Sequence, residues 1–184
     1  ATQKARAEAM GFDTSKVWYH GTYAAGFSAF ERNQERSART NSGHLGIFVG
    51  PDPRTANSYT GVWLQDVERP AERQPVLSRF GIAKPRMEVV TEPQSISAAT
   101  APAVMPLWLR VRNPFVWDLD DFGNTLKRYT EIEPGFQPNG DIPPWESAAL
   151  ERAGYDALDI VIRGRITERA VFDPSNIRST QAAF

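Results

Sequence analysis

Glycine and proline cut this chain into short pieces, and that constrains its fold more than any other feature. The 184 residues include 13 Gly and 14 Pro, set between apolar runs of strand length. Lys16-Val17-Trp18-Tyr19-His20 reads as a strand by its aromatic and β-branched content, running into a turn at Gly21-Thr22. Gly46-Ile47-Phe48-Val49 is a second short strand, punctuated by Gly50-Pro51-Asp52-Pro53. Val104 to Val111 puts Leu107, Leu109 and Val111 on one period-2 face, and Asn113-Pro114 then turns the chain into Phe115-Val116-Trp117. Tyr155 to Ile162 is a strong strand, and Ala170-Val171-Phe172 reads as the last, stopped by Asp173-Pro174.

Helical signals are fewer. Ala1 to Met10, rich in Ala, Lys, Arg and Glu, favours a short helix that Gly11 ends. Pro53 suits the first position of a helix over Arg54 to Tyr59. Asp118 to Pro144 reads as acidic loop plus one short helix. Trp145 to Ala153 reads as a helix closed by Gly154, with Ala148, Ala149 and Leu150 to bury. Gly26 to Phe30 forms a short element, Glu31 to Asn41 a polar loop, and Gly61 to Ala103 a Pro-, Ser- and Thr-rich stretch around strand-like pieces. Short strands and helices without regular βαβ alternation predict an α+β fold. The length suits one domain over 1–184, because a chain of this size buries roughly 70% of its unfolded surface. It begins at Ala1 with neither an initiator Met nor a basic-then-apolar leader, which reads as a fragment of a longer polypeptide or a processed form.

Several chemistries drop out at this level. No apolar run approaches the ~18 residues of a membrane helix, so no membrane partner is expected. With no Cys, a disulfide scaffold, a thiolate zinc site and a cysteine nucleophile are excluded. The only histidines, His20 and His44, lack metal-ligand spacing, and no metal is expected. Neither Gly-x-Gly-x-x-Gly after a strand, nor a P-loop, nor a Gly-x-Ser-x-Gly elbow is present. The formal charge of −1 gives no overall pull toward nucleic acid.

Three polar clusters remain beside strands. The first is Tyr19-His20-Gly21-Thr22, where an imidazole and free backbone groups face one space; a His so placed more often caps a turn. The second is Gly46-Ile47-Phe48 with Tyr59 thirteen residues after Gly46, a Tyr that alone would be packing. The third is Glu168, just ahead of Ala170-Val171-Phe172, a position most often merely solvated.

In that order, His-Gly-Thr, then Gly-Ile-Phe with Tyr, then Glu ahead of Val-Phe-Asp resembles the ADP-ribosyltransferase family. The likeness is to its His-Tyr-Glu branch, which includes diphtheria toxin and the poly(ADP-ribose) polymerases. Ala9-Met10-Gly11-Phe12-Asp13 and Val171-Phe172-Asp173-Pro174-Ser175-Asn176-Ile177-Arg178-Ser179 further resemble segments of small bacterial and phage-associated transferase domains. Gly61 to Ala103 is unmatched.

The resemblance implies a split β-sandwich of short strands with a few flanking helices, and a toxin or effector that moves ADP-ribose from NAD to a macromolecular acceptor, releasing nicotinamide. It implies that His20 hydrogen-bonds the adenosine-side ribose and that Gly21 holds the nicotinamide carboxamide through its backbone, supported by Thr22. Tyr59 would stack on the nicotinamide, Phe48 would extend that wall, and Glu168 would contact the nicotinamide ribose. His20, Tyr59 and Glu168 are thus the expected catalytic residues. The arginine-specific branch carries Arg for the His, a Ser-Thr-Ser motif and an acidic residue two before the Glu. This chain has His20, no Ser-Thr-Ser and Ile166. Trp63 is the nearest substitute for a second stacking aromatic. Arg169 stands where relatives commonly have an aromatic, implying a different acceptor surface.

The acceptor this implies is a protein or a nucleic acid, RNA among them; for a nucleic acid, Arg32, Arg36 and Arg39 are the first candidates for phosphate contacts. A dedicated immunity or antitoxin protein would cover the NAD cleft, and action in a target cell's cytoplasm follows delivery as part of a larger secreted or phage polypeptide. The alternatives are an NAD glycohydrolase that depletes NAD, an inactive NAD- or partner-binding module, and a structural virion or secretion-associated domain.

Overall fold

The computed structural model describes residues 2–22, 29–32, 45–57, 59–60, 62–70, 77–78, 81–82, 87–95, 103–136 and 146–181, with 62–95 as backbone alone. Helices and sheets are both present, and the chain is α+β. In order the elements are α1 (Gln3–Ala9), β1 (Asp13–Thr22), β2 (Ile47–Val49), α2 (Pro53–Asn57), β3 (Val62–Pro70), β4 (Leu77–Ser78), β5 (Gly81–Ile82), β6 (Met87–Ser95), β7 (Ala103–Leu109), β8 (Pro114–Asp118), α3 (Phe122–Ile132), α4 (Ser147–Arg152), β9 (Ala157–Ile162), β10 (Arg165–Val171) and β11 (Ile177–Ser179).

Two sheets carry the domain. One has the order β1-β7-β11, antiparallel throughout; the other is β2-β10-β9-β8, antiparallel except for the parallel β8–β9 pair. Among the described residues a single bridge, Tyr19 to Gly50, links them. β3 and β6 form a separate antiparallel ribbon from Val62↔Ser95 to Pro70↔Met87, and β4 pairs with β5.

Alternation along the strands sorts the side chains into two cores. Trp18, Leu107, Leu109 and Ile177 of the first sheet meet Ile47, Val49 and Val171 of the second. On the second sheet's far face Phe115, Trp117, Leu158 and Ala170 pack beneath Tyr129 of α3 and Leu150 of α4. Each fully buried side chain of this size contributes about 1.5–3 kcal/mol. Trp108 turns the other way from Leu107 and Leu109 and packs with Ala7 and Phe12, which seats α1.

Local chemistry sets the boundaries. Thr2 caps α1, its hydroxyl accepting the Ala5 N–H at 3.2 Å, and Gly11 follows the helix with φ +84°. Asp52 caps α2 by accepting the Arg54 N–H at 2.8 Å, with Pro53 first in the helix. Arg163 and Gly164, with φ of 52° and 66°, make the tight β9–β10 turn, and Asp120 accepts the Arg163 N–H.

The structure corrects several expectations. β1 runs through Gly21 and Thr22, which pair with Val104 and Ala103, so no turn lies there. α2 ends at Asn57, short of Tyr59. α4 spans only Ser147–Arg152 and leaves Ala148 exposed, because Ser147, Ala149 and Leu150 take its inner face. Ala170-Val171-Phe172 is the end of a longer strand, and β11 follows it, pairing with β7. The short element expected over Gly26 to Phe30 and the polar loop over Glu31 to Asn41 lie mostly outside the described residues, which here include only 29–32.

Candidate active site

The site lies where the two sheets part. Tyr19 and Gly50 exchange both backbone hydrogen bonds, each at 2.8 Å. One step further, antiparallel pairing would set Gly21 against Phe48 and exchange two more. The His20 ring intervenes: its Nδ1 lies 2.8 Å from the Phe48 carbonyl oxygen that the Gly21 amide would have met. A carbonyl only accepts, so Nδ1 carries the proton and Nε2 is left as an acceptor. Burial pushes the imidazole below its ordinary value of 6.5, against the opposing pull of the Phe48 carbonyl, and this favours the neutral ring. Phe30 meets it edge-on, with centroids 5.1 Å apart.

Gly21 is thereby left with its N–H and C=O toward the gap. Backbone groups along a strand alternate in direction, and those of Tyr19 point to Gly50, so those of Gly21 point the same way. Pro106 opposite Tyr19 fits this register, because it has no N–H to offer. Among the described residues nothing pairs with these two buried groups. A buried backbone donor and acceptor without partners are costly. No larger residue fits here: a Cβ on Gly21 would lie 1.7 Å from the Ala56 carbonyl oxygen and 3.1 Å from the Tyr59 Cβ.

Tyr59 lies in the turn that closes α2, its N–H bonded to the Ala56 carbonyl at 3.1 Å. The ring is 42% exposed, an unusual state for a large aromatic residue, and its hydroxyl donates to Glu168 Oε1. Burial of the hydroxyl end, with the bond to Glu168, raises the phenol's pKa so that it stays a donor.

Glu168 lies inside β10, and a bulge aims it. Between Ile166 and Glu168 the strand gains a residue against β9. Ile166 packs on the core between the sheets; regular alternation would send Glu168 there too, and the extra residue turns it to the other face. Phe48 stands opposite Ala170, so Phe48, Ala170 and Glu168 share that face. Phe48 itself is partly buried against the helix-covered core.

His20, Gly21, Phe48, Tyr59 and Glu168, named from three separate stretches of sequence, are therefore joined into one constellation. Thr22 ends β1 beside them, opposite Ala103. Two of the arginines named from the sequence are held by partners within the chain. Arg32 is bound to Glu151 at 2.7 Å and to the Ser147 hydroxyl, tying its segment to α4. Arg169, 13% exposed, makes a two-pronged bond to Asp159 at 2.5 and 2.7 Å and stacks on Trp18 at 4.5 Å. Sequence reading passed over Asp159 and Trp18. The signal was an Asp within the apolar run Ala157–Ile162, since a buried carboxylate demands a partner. His44, Arg36 and Arg39 lie outside the described residues, as does the Trp63 side chain. Among the described residues no three His, Asp or Glu cluster as metal ligands would. No family model, curated protein or solved structure matches the chain.

Proposed function

We propose that the chain is an NAD-dependent ADP-ribosyltransferase built on a split β-sandwich, using the His-Tyr-Glu set His20, Tyr59 and Glu168. The observation that carries this reading is the parted ladder: His20 takes the Phe48 carbonyl and leaves Gly21 presenting one donor and one acceptor side by side. A primary carboxamide is the complementary group, its oxygen accepting from the Gly21 N–H and its NH2 donating to the Gly21 C=O. Tyr59 and Phe48 offer flat apolar surface for the ring that bears the amide. His20 Nε2 offers an acceptor to a ribose hydroxyl, and one Glu168 oxygen does the same beside the nicotinamide ribose.

The reaction suits so sparse a set. Cleaving the ribose C1′–nicotinamide bond sends the bonding pair to the pyridine nitrogen, releasing a neutral leaving group that needs no protonation. Positive charge develops on the ribose, and the Glu168 carboxylate stabilises it as it forms. An acceptor nucleophile then bonds C1′ and loses its proton. One carboxylate serves where a glycosidase needs an acid and a base. The acceptor in this reading is a protein or RNA, and the setting is a toxin or effector answered by an immunity protein.

The test is nicotinamide release from NAD by wild type and Glu168→Gln, with and without cell lysate. Release that depends on Glu168 and rises with lysate supports transfer. Lysate-independent release makes the protein a glycohydrolase, and no release from folded protein leaves an inactive binding module. Losing one such electrostatic contact typically costs ~100–1,000-fold in rate.

A further inference from the structure

We propose that Arg169 is a positioning residue that sets the distance between the His20 and Glu168 sides of the site. The proposal rests on the reading of those two residues as halves of one active site.

β1, which carries His20, and β10, which carries Glu168, are not neighbours in either sheet. Among the described residues, backbone pairing connects them only through the Tyr19–Gly50 bridge and the three-residue strand β2. A bulge immediately before Glu168 interrupts β10. Bulges bend a strand and redirect its side chains, so a carboxylate placed by one needs its register pinned nearby.

Arg169 supplies the pin. It follows Glu168 and points to the opposite face, toward the first sheet. Its guanidinium meets Trp18, two residues before His20, at 4.5 Å. Asp159, directly opposite on β9, grips the same guanidinium with both oxygens. Trp18 is 3% exposed, so the stack is walled in. Lys16 Nζ also lies 4.0 Å from the Trp18 ring centroid, and burial together with the Arg169 charge pulls that amine down. The strut thus runs from β9 through Arg169 to β1. Only a planar, two-pronged cation satisfies Asp159 and stacks on Trp18 at once, and lysine does not.

The experiment uses Arg169→Lys and Arg169→Met, with two readouts. The first is nicotinamide release: kcat is expected to fall about 10–100-fold with KM for NAD little changed, the mark of misplacement rather than lost binding. The second needs no turnover. With only two histidines in the chain, the His20 Nδ1–H is assigned by NMR through His20→Gln, and its exchange with solvent is compared between variants without NAD. Faster exchange in folded Arg169→Lys supports the strut. Unchanged exchange, even with a lowered Tm, makes the pair structural only and overturns the proposal, as does unchanged kcat in both variants. Should Arg169→Met fail to fold, Arg169→Lys decides alone. A wild type inert toward NAD removes the transferase reading, and the exchange measurement still judges the strut.

Discussion

The β8–β9 ladder and the β1–β2 junction are built from the same kind of sequence and end differently. β8 and β9 pair without interruption from Pro114↔Ala157 to Asp118↔Val161, above Phe115, Trp117 and Leu158, which are all but fully buried. Among the described residues β1 meets the end of β2 once, at Tyr19 and Gly50 just past that strand, and the two then part around the His20 ring. In the first region the ladder consumes the backbone groups, and the side chains on its helix-covered face add packing. In the second a side chain captures one carbonyl, and the neighbouring glycine keeps a donor and an acceptor that nothing among the described residues pairs with. On the proposed function, recognition would arise where the ladder fails.

That contrast can be broken at either end. Phe115→Ala, in the continuous ladder, should lower stability by about 3–5 kcal/mol, read by urea unfolding, while turnover per folded molecule stays near wild type. Gly21→Ala should cost less stability, about 1–3 kcal/mol, because the new methyl drives against the Ala56 carbonyl. It should nonetheless cut nicotinamide release by about 100-fold, since α2 and Tyr59 must move. Equal effects of the two on release would erase the distinction.

Acid sharpens the comparison at His20. Its folded pKa lies below the ordinary 6.5, so between those values the unfolded chain holds a proton that the folded one lacks. Stability is then full above 6.5 and falls as pH drops, by at most about 1.4 kcal/mol per unit. Unfolding at pH 7.5 and 5.5 should show this loss in wild type and not in His20→Gln, whose amide still donates to Phe48. Asp13 and Asp52, held below 3.8 by their hydrogen bonds to Ser15 and Arg54, act only in a more acidic window. The smallest effect is expected from Tyr59→Phe, which keeps the ring and loses the bond to Glu168. Release should fall by no more than about tenfold, well short of the Glu168→Gln loss. A Tyr59→Phe rate as low as that of Glu168→Gln would move the phenol itself into the chemistry.

The residues that meet at the candidate site were more legible than the framework that aims them. His20, Gly21, Tyr59 and Glu168 were singled out by the order of their three clusters and the resemblance it carries, since each alone reads as a turn cap, packing or a solvated acid. The bulge in β10 leaves no such trace, since Ile166-Thr167-Glu168 reads equally well as loop or strand. Arg169 looked like a surface cation because its partners, Asp159 and Trp18, come from a neighbouring strand and a distant one. Arg32 is alike, its partners Ser147 and Glu151 lying more than a hundred residues on.

What the sequence by itself determined is local: helix α1 between Thr2 and Gly11, the short strands, the breaks at Gly and Pro, and the residue types able to serve as acceptor, stacking ring and carboxylate. These follow from backbone preference and side-chain chemistry within a few residues. Tertiary structure decided the rest. It set His20 into the β1–β2 ladder, turned Glu168 away from the core, brought Tyr59 onto it from 109 residues away and drew Arg169 inward. Each depends on register between strands far apart in sequence, where a shift of one residue would reverse every face.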